Sequence, residues 1–170
     1  MTNLSPVQKA REVLEKWGLH EAPIQIEKIY SGENIELEYI DLTEIEQKVG
    51  KKISGAIQQR PGKSCIILVN DMDSEARARF TIAHELGHYF LHMDSMPPND
   101  SGLITCLRSD SSPIETQANR FAAELLMPEA LVRQEYAKMV IPVCESLAEI
   151  FQVSNQAMEI RLKQLELGYV

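Results

Sequence analysis

A chain of 170 residues, 44% hydrophobic and 25% charged, has the ordinary composition of a globular protein and length enough to bury one proper core. Its net charge is −8, and residues 71–128 alone carry 4 basic against 9 acidic groups. That balance excludes the broad basic face needed for tight phosphate binding, so direct nucleic-acid binding is not expected. The sequence shows no signal-peptide pattern and no apolar run near 18 residues, which predicts a soluble, cytoplasmic protein without a membrane partner. Cys65, Cys106 and Cys144 are scattered and odd in number, fitting a reducing compartment rather than a disulfide framework.

In chain order, Ser5-Pro6 supplies a capping hydroxyl and a first-turn proline. Val7, Ala10, Val13, Leu14 and Trp17 then keep the helical period until Gly18 ends it. Pro23 to Tyr30 reads as a shorter second helix closed by Ser31-Gly32. Ile35, Leu37 and Tyr39 alternate with Glu36, Glu38 and Ile40 as a half-buried strand. Residues 41–52 form a charged connection or short helix. Ile53–Gln59 and Ser64–Asn70 are strand candidates around a turn at Arg60-Pro-Gly-Lys63. Cys65-Ile-Ile-Leu-Val69 is apolar on both faces and belongs inside a sheet.

Asp71 to Ser74 then caps a helix running to about His92, and its centre is His84-Glu85-Leu86-Gly87-His88. Residues four apart stand on one helix face, so the imidazoles of His84 and His88 reach a single metal ion. Glu85 overhangs that ion without ligating it, where it is placed to take a proton from an activated water. This is the H-E-x-x-H pattern of zinc peptidases. Arg77, Thr81, His84, Glu85, His88 and His92 form one polar stripe beside an apolar one. Ala83 and Gly87, four apart, let a neighbouring element pack closely behind the metal. His92 lies about 12 Å along the axis from His84, too far to share its ion.

Residues 93–112 read as a long loop bordering the site. Ser112-Pro113 opens a further helix through Leu126, ended by Pro128. Glu115 on it offers a third ligand, with Asn119 one turn on to hydrogen-bond a ligand histidine. Glu115 equally completes a capping box with Ser112. Glu124 bonds a partner near the site or lies exposed. Residues 129–139 and 143–166 read as short helices, and 146–162 has a helix-turn-helix-like pattern. Arg161 and Lys163 stand there against Glu159 and Glu166, which favours a packing or substrate-docking module over a DNA reader.

Arg77–His92 and Glu115-Thr-Gln-Ala-Asn-Arg-Phe-Ala-Ala-Glu-Leu-Leu-Met-Pro128 resemble the ImmA/IrrE metallopeptidases, most densely over about residues 53–128. The resemblance implies an α+β, zincin-like fold with helices packed on a three-stranded antiparallel sheet. It implies a peptidase domain over 1–128 and a C-terminal helical segment over 129–170 packed on it. It carries the metal roles onto His84, His88 and Glu115 and the catalytic role onto Glu85, with zinc as the metal and manganese or iron as substitutes. It also implies a helix-turn-helix repressor as the substrate, cleaved to derepress mobile-element or stress-response genes. The oxyanion-stabilising group is left open among Tyr89, His92, Arg108 and Tyr136. Rival readings are a DNA-binding regulator with a structural metal and a repressor-binding protein with an inactive site.

Overall fold

The computed structural model describes residues 4–50, 53–59, 62–95, 104–107 and 112–170, the four residues 104–107 by their backbone alone. Local signals set the first elements. Helix α1 (Pro6–Trp17) starts at Ser5, whose hydroxyl accepts from the Gln8 amide in a full capping box, and stops at Gly18 in the left-handed conformation. Helix α2 (Ile26–Gly32) begins three residues later than the Pro23 signal predicts. The chain first turns at Ile24, whose carbonyl accepts from the Ile26 amide and the buried Arg79 guanidinium.

Strand β1 (Glu36–Ile40), helix α3 (Thr43–Val49), β2 (Gly55–Gln59) and β3 (Cys65–Asn70) follow. The sheet corrects the expectation of three antiparallel strands. Among the described residues it has four strands in the order β1-β3-β2-β4, and it is mixed. β2 and β3 form an antiparallel hairpin with Ile57 opposite Ile67. β1 instead runs parallel to β3, Leu37 beside Ile67, because α3 and β2 intervene and return the chain in the same direction. The fourth strand, β4 (Ile104–Leu107), lies within the stretch read as loop and pairs antiparallel with β2. Four residues are too few to display alternation. The apolar character of β3 follows from its place between two strands, with Ile67 and Val69 fully buried. The predicted turn at 60–63 lies partly outside the described residues.

Helix α4 (Glu75–Leu91), capped by Ser74, packs on β2 and β3. It approaches the sheet closely: a Cβ on Gly55 would stand 2.5 Å from Thr81 Cγ2 and 2.6 Å from the Leu68 carbonyl. Its other side meets α5 (Pro113–Leu126). There a Cβ on Gly87 would be 3.1 Å from Ala118 Cα, so the small residues do let the two backbones approach. The polar stripe of α4 is not a solvent face, since residues 81–88 are buried all round the helix.

Helices α6 (Glu129–Ala137), α7 (Cys144–Phe151) and α8 (Asn155–Gln164) complete the chain. Phe151, Met158 and Leu162 are buried in the same apolar cluster as Phe121, Leu125 and Ala10. A buried ion cluster reinforces this packing. Glu124, 2% exposed, accepts from Arg11 of α1 at 2.7 Å and from Arg161 of α8, whose Nε also donates to the Met127 carbonyl at 3.0 Å. Removing one member of a buried ion pair strands the other charge, which costs about 3–5 kcal/mol. Glu124→Ala is therefore expected to lower the melting temperature by about 10 °C, read by circular dichroism. An unchanged midpoint would show that the cluster contributes nothing to stability. No helix among the described residues is long and apolar enough to cross a membrane.

Candidate metal centre

Helix α4 and the first turn of α5 bring three donors to one point. The Nε2 atoms of His84 and His88 lie 3.0 Å apart, their rings edge-to-face. Glu115 Oε2 is 3.1 Å from His84 Nε2, and its Oε1 is 3.2 Å from His88 Nε2. All three side chains are buried. The two readings of Glu115 are compatible in part. Its amide donates to Ser112 Oγ at 3.3 Å, so Ser112 caps the helix, while the carboxylate reaches the imidazoles and not back to Ser112. Burial pushes the Glu115 carboxyl up, but hydrogen bonds and charge from His84 and His88 outweigh it and bring its pKa down to about 2. The group is a carboxylate at neutral pH.

The donor set suits a small borderline cation. Ligands 2.0–2.2 Å from a tetrahedral zinc would lie about 3.3–3.6 Å apart, a few tenths of an ångström wider than the observed separations. The outer partners of the rings fit as well. For both Nε2 lone pairs to face one cation, each ring must carry its proton on Nδ1. Asn119 Oδ1, 2.9 Å from His84 Nδ1, accepts the first, as the spacing of Glu115 and Asn119 suggested. His92 Nδ1, 3.2 Å from His88 Nδ1, accepts the second. The proton of His92 then sits on Nε2 and is donated to Gln117 Oε1 at 2.8 Å. His92 thus stands behind a histidine, outside the converging set, and burial holds it below the usual imidazole range. Glu85, 1% exposed, also lies outside that set.

Residues 37–163 match the family model for the IrrE N-terminal-like domain, Peptidase M78. The chain belongs to this metallopeptidase family. It is also similar to Metallopeptidase ImmA of Bacillus subtilis (strain 168), with 29% identity over 98 residues. That alignment covers 58% of this chain and 56% of the relative, so the chain spans little more than half the length of the relative it matches. The IrrE-like region contains all of α4 and α5 and therefore every donor of the cluster.

Within the IrrE-like region, the oxyanion candidates separate by position. Tyr89 is stacked edge-to-face on Phe90, and burial raises its phenol, with Glu33, Cys65 and Asp94 adding to the shift. Tyr136 donates to the Gly168 carbonyl at 2.6 Å. Arg108 lies outside the described residues. His92 alone of the described candidates touches a member of the cluster. Gln117 was not legible beforehand. It is two residues from Glu115, a spacing that places it on a different part of the helix surface, and only the course of the His92 ring brings it in.

Proposed function

We propose that this chain is a zinc-dependent endopeptidase whose substrate is a helix-turn-helix transcriptional repressor, cut in the cytoplasm to derepress mobile-element or stress-response genes. The observation that carries the reading is the convergence of His84 and His88 of α4 with Glu115 of α5, with Glu85 following His84 on α4. In this reading residues 1–128 form the peptidase part and 129–170 a docking segment packed on it. His84, His88 and Glu115 hold the metal, and two nitrogens with one oxygen suit zinc, with manganese or iron able to substitute. Zinc bound there would supply Lewis acidity toward a peptide carbonyl and toward water. Glu85 takes the proton of the attacking water and delivers it to the departing amine nitrogen, while Asn119 and His92 keep both imidazoles in the ligating tautomer.

Among the described residues β4 is an edge strand, and an extended substrate segment would add beside it by main-chain hydrogen bonds. The helix-turn-helix-like α7–α8 pair fits protein docking better than DNA reading. Of its two cations, Arg161 is buried against Glu124, and Lys163 is left near Glu159.

Incubation with zinc and a helix-turn-helix repressor encoded beside this gene tests the proposal, with mass spectrometry of the fragments. One or a few cuts are expected, in the segment joining DNA-binding and oligomerisation parts. An intact repressor under inducing conditions, with tight sequence-specific DNA binding by this chain alone, would overturn it. A finer consequence concerns Asn119. Asn119→Ala is expected to weaken zinc binding about 10- to 100-fold, the usual effect of losing an outer partner of a metal ligand. Competition with a chromophoric chelator reads it, and wild-type affinity would show that Asn119 does not orient His84.

A further inference from the structure

A cleft of about 670 Å³ lies between α4, α5 and α8, lined among others by Phe80, Thr81, Asn119, Arg120, Ala123 and Ile160. Its chemistry differs from that of the rest of the molecule. The chain carries 25 acidic side chains and a net charge of −8, yet among the described residues no Asp or Glu lines this cleft, whereas three arginines do. Two of them are already neutralised, Arg77 by Asp73 at 3.2 Å and Arg161 by Glu124. Arg120 is exposed and has no hydrogen bond or ion pair among the described residues. Beside it Ile160 is 51% exposed, an uncovered apolar side chain on α8. The buried hydroxyl of Thr81 also lacks a hydrogen-bond partner among the described residues.

The cleft shares a residue with the surroundings of the metal centre. Asn119 lines it and holds His84, and Thr81 lies one turn before His84 on α4. A peptide occupying it would thus lie against Asn119, which hydrogen-bonds one of the donors. We propose that this cleft is a docking site for an acidic, apolar segment of the protein substrate, with a substrate carboxylate on Arg120 and a substrate aliphatic side chain between Phe80 and Ile160. The site takes a segment away from the cut bond, so it selects substrates by charge and shape before cleavage. This inference rests on the peptidase reading for the word substrate, but its test is binding alone.

The probe is a library of random twelve-residue peptides displayed on phage and selected on zinc-loaded full chain carrying Glu85→Gln, which prevents cutting. The same selection is run on Glu85→Gln/Arg120→Glu and Glu85→Gln/Ile160→Asp. Enrichment of Asp or Glu next to aliphatic residues on the first protein is expected. Charge reversal at Arg120 should abolish that bias and weaken a selected fluorescent peptide about tenfold or more. Ile160→Asp should remove the aliphatic preference. Amide shifts on adding the peptide should fall at Phe80, Arg120, Ala123 and Ile160. Selected peptides without acidic bias, a bias unchanged by Arg120→Glu, or shifts confined to other surfaces would overturn the site. A wild-type chain that binds such peptides yet leaves every repressor whole would refute the peptidase reading while sustaining the docking site.

Discussion

Glu85→Gln is expected to slow repressor cleavage by at least about 10²-fold while leaving zinc content at the wild-type level, the scale on which general acid–base catalysis usually acts. The side chain is 1% exposed, follows His84 directly on α4, and stays outside the three converging donors. Glutamine preserves its size and shape but replaces one carboxylate oxygen with an amide NH2 and takes up no proton at neutral pH. Water must then attack without a base, and the amine must leave without the proton that Glu85 would return. Single-turnover cleavage followed alongside zinc content by atomic mass spectrometry separates the chemical step from metal loading. Wild-type rates in the variant would remove Glu85 from the mechanism.

A larger loss is expected at the three converging donors. His88→Ala removes one of three donors whose mutual separations are 3.0–3.2 Å and should leave purified protein with almost no zinc, where wild type is expected to hold about one ion per chain. His92→Ala takes away only the acceptor behind His88 and should retain the ion with an affinity reduced about 10- to 100-fold. The contrast between these two histidines on one helix is the informative quantity, and equal metal retention in both would mean that the site is misassigned. Lost metal should also appear as lost stability in His88→Ala, because an ion bound to the folded state alone stabilises it by mass action.

Much of this arrangement can be read from local chemistry. Ser5 and Gly18 bound α1, Ser74 starts α4, and Ser112-Pro113 starts α5, each through a backbone group that its neighbours in sequence satisfy. The pairing of Asn119 with a histidine follows from helical spacing in the same way. Contacts between distant segments are less legible. The parallel partnership of β1 with β3 depends on where α3 and β2 return the chain. As the sheet's edge, β1 leaves Tyr39 at 54% exposure although the alternation places it on the half-buried face with Ile35 and Leu37. Glu124 shows the same limit. Its sequence neighbours, Leu125-Leu126-Met127, say nothing of Arg11, 113 residues earlier, which meets it on one side, or of Arg161, which meets it on the other. Gln117 belongs to this class too.

The two ends of α5 are held by different means, and this bears on how the protein can be trimmed. One end carries Glu115 to the histidines, and the other carries Glu124 into the grip of α1 and α8. A fragment stopped after Pro128 would keep every metal donor but lose Arg161, and with it Phe151, Met158 and Leu162 from the shared core. Helix α5 would then keep its packing on α4 and α1. Among the described residues, however, Arg11, itself half exposed, would be the one cation left on Glu124, and the end of the helix far from Glu115 would be held less firmly. Loss of activity in such a fragment would combine this slackening with removal of the α8 side of the cleft, and metal affinity measured without substrate separates the two. A shortened chain that keeps its donor cluster in place is therefore expected to need residues 129–170 or a replacement for their hold on Glu124.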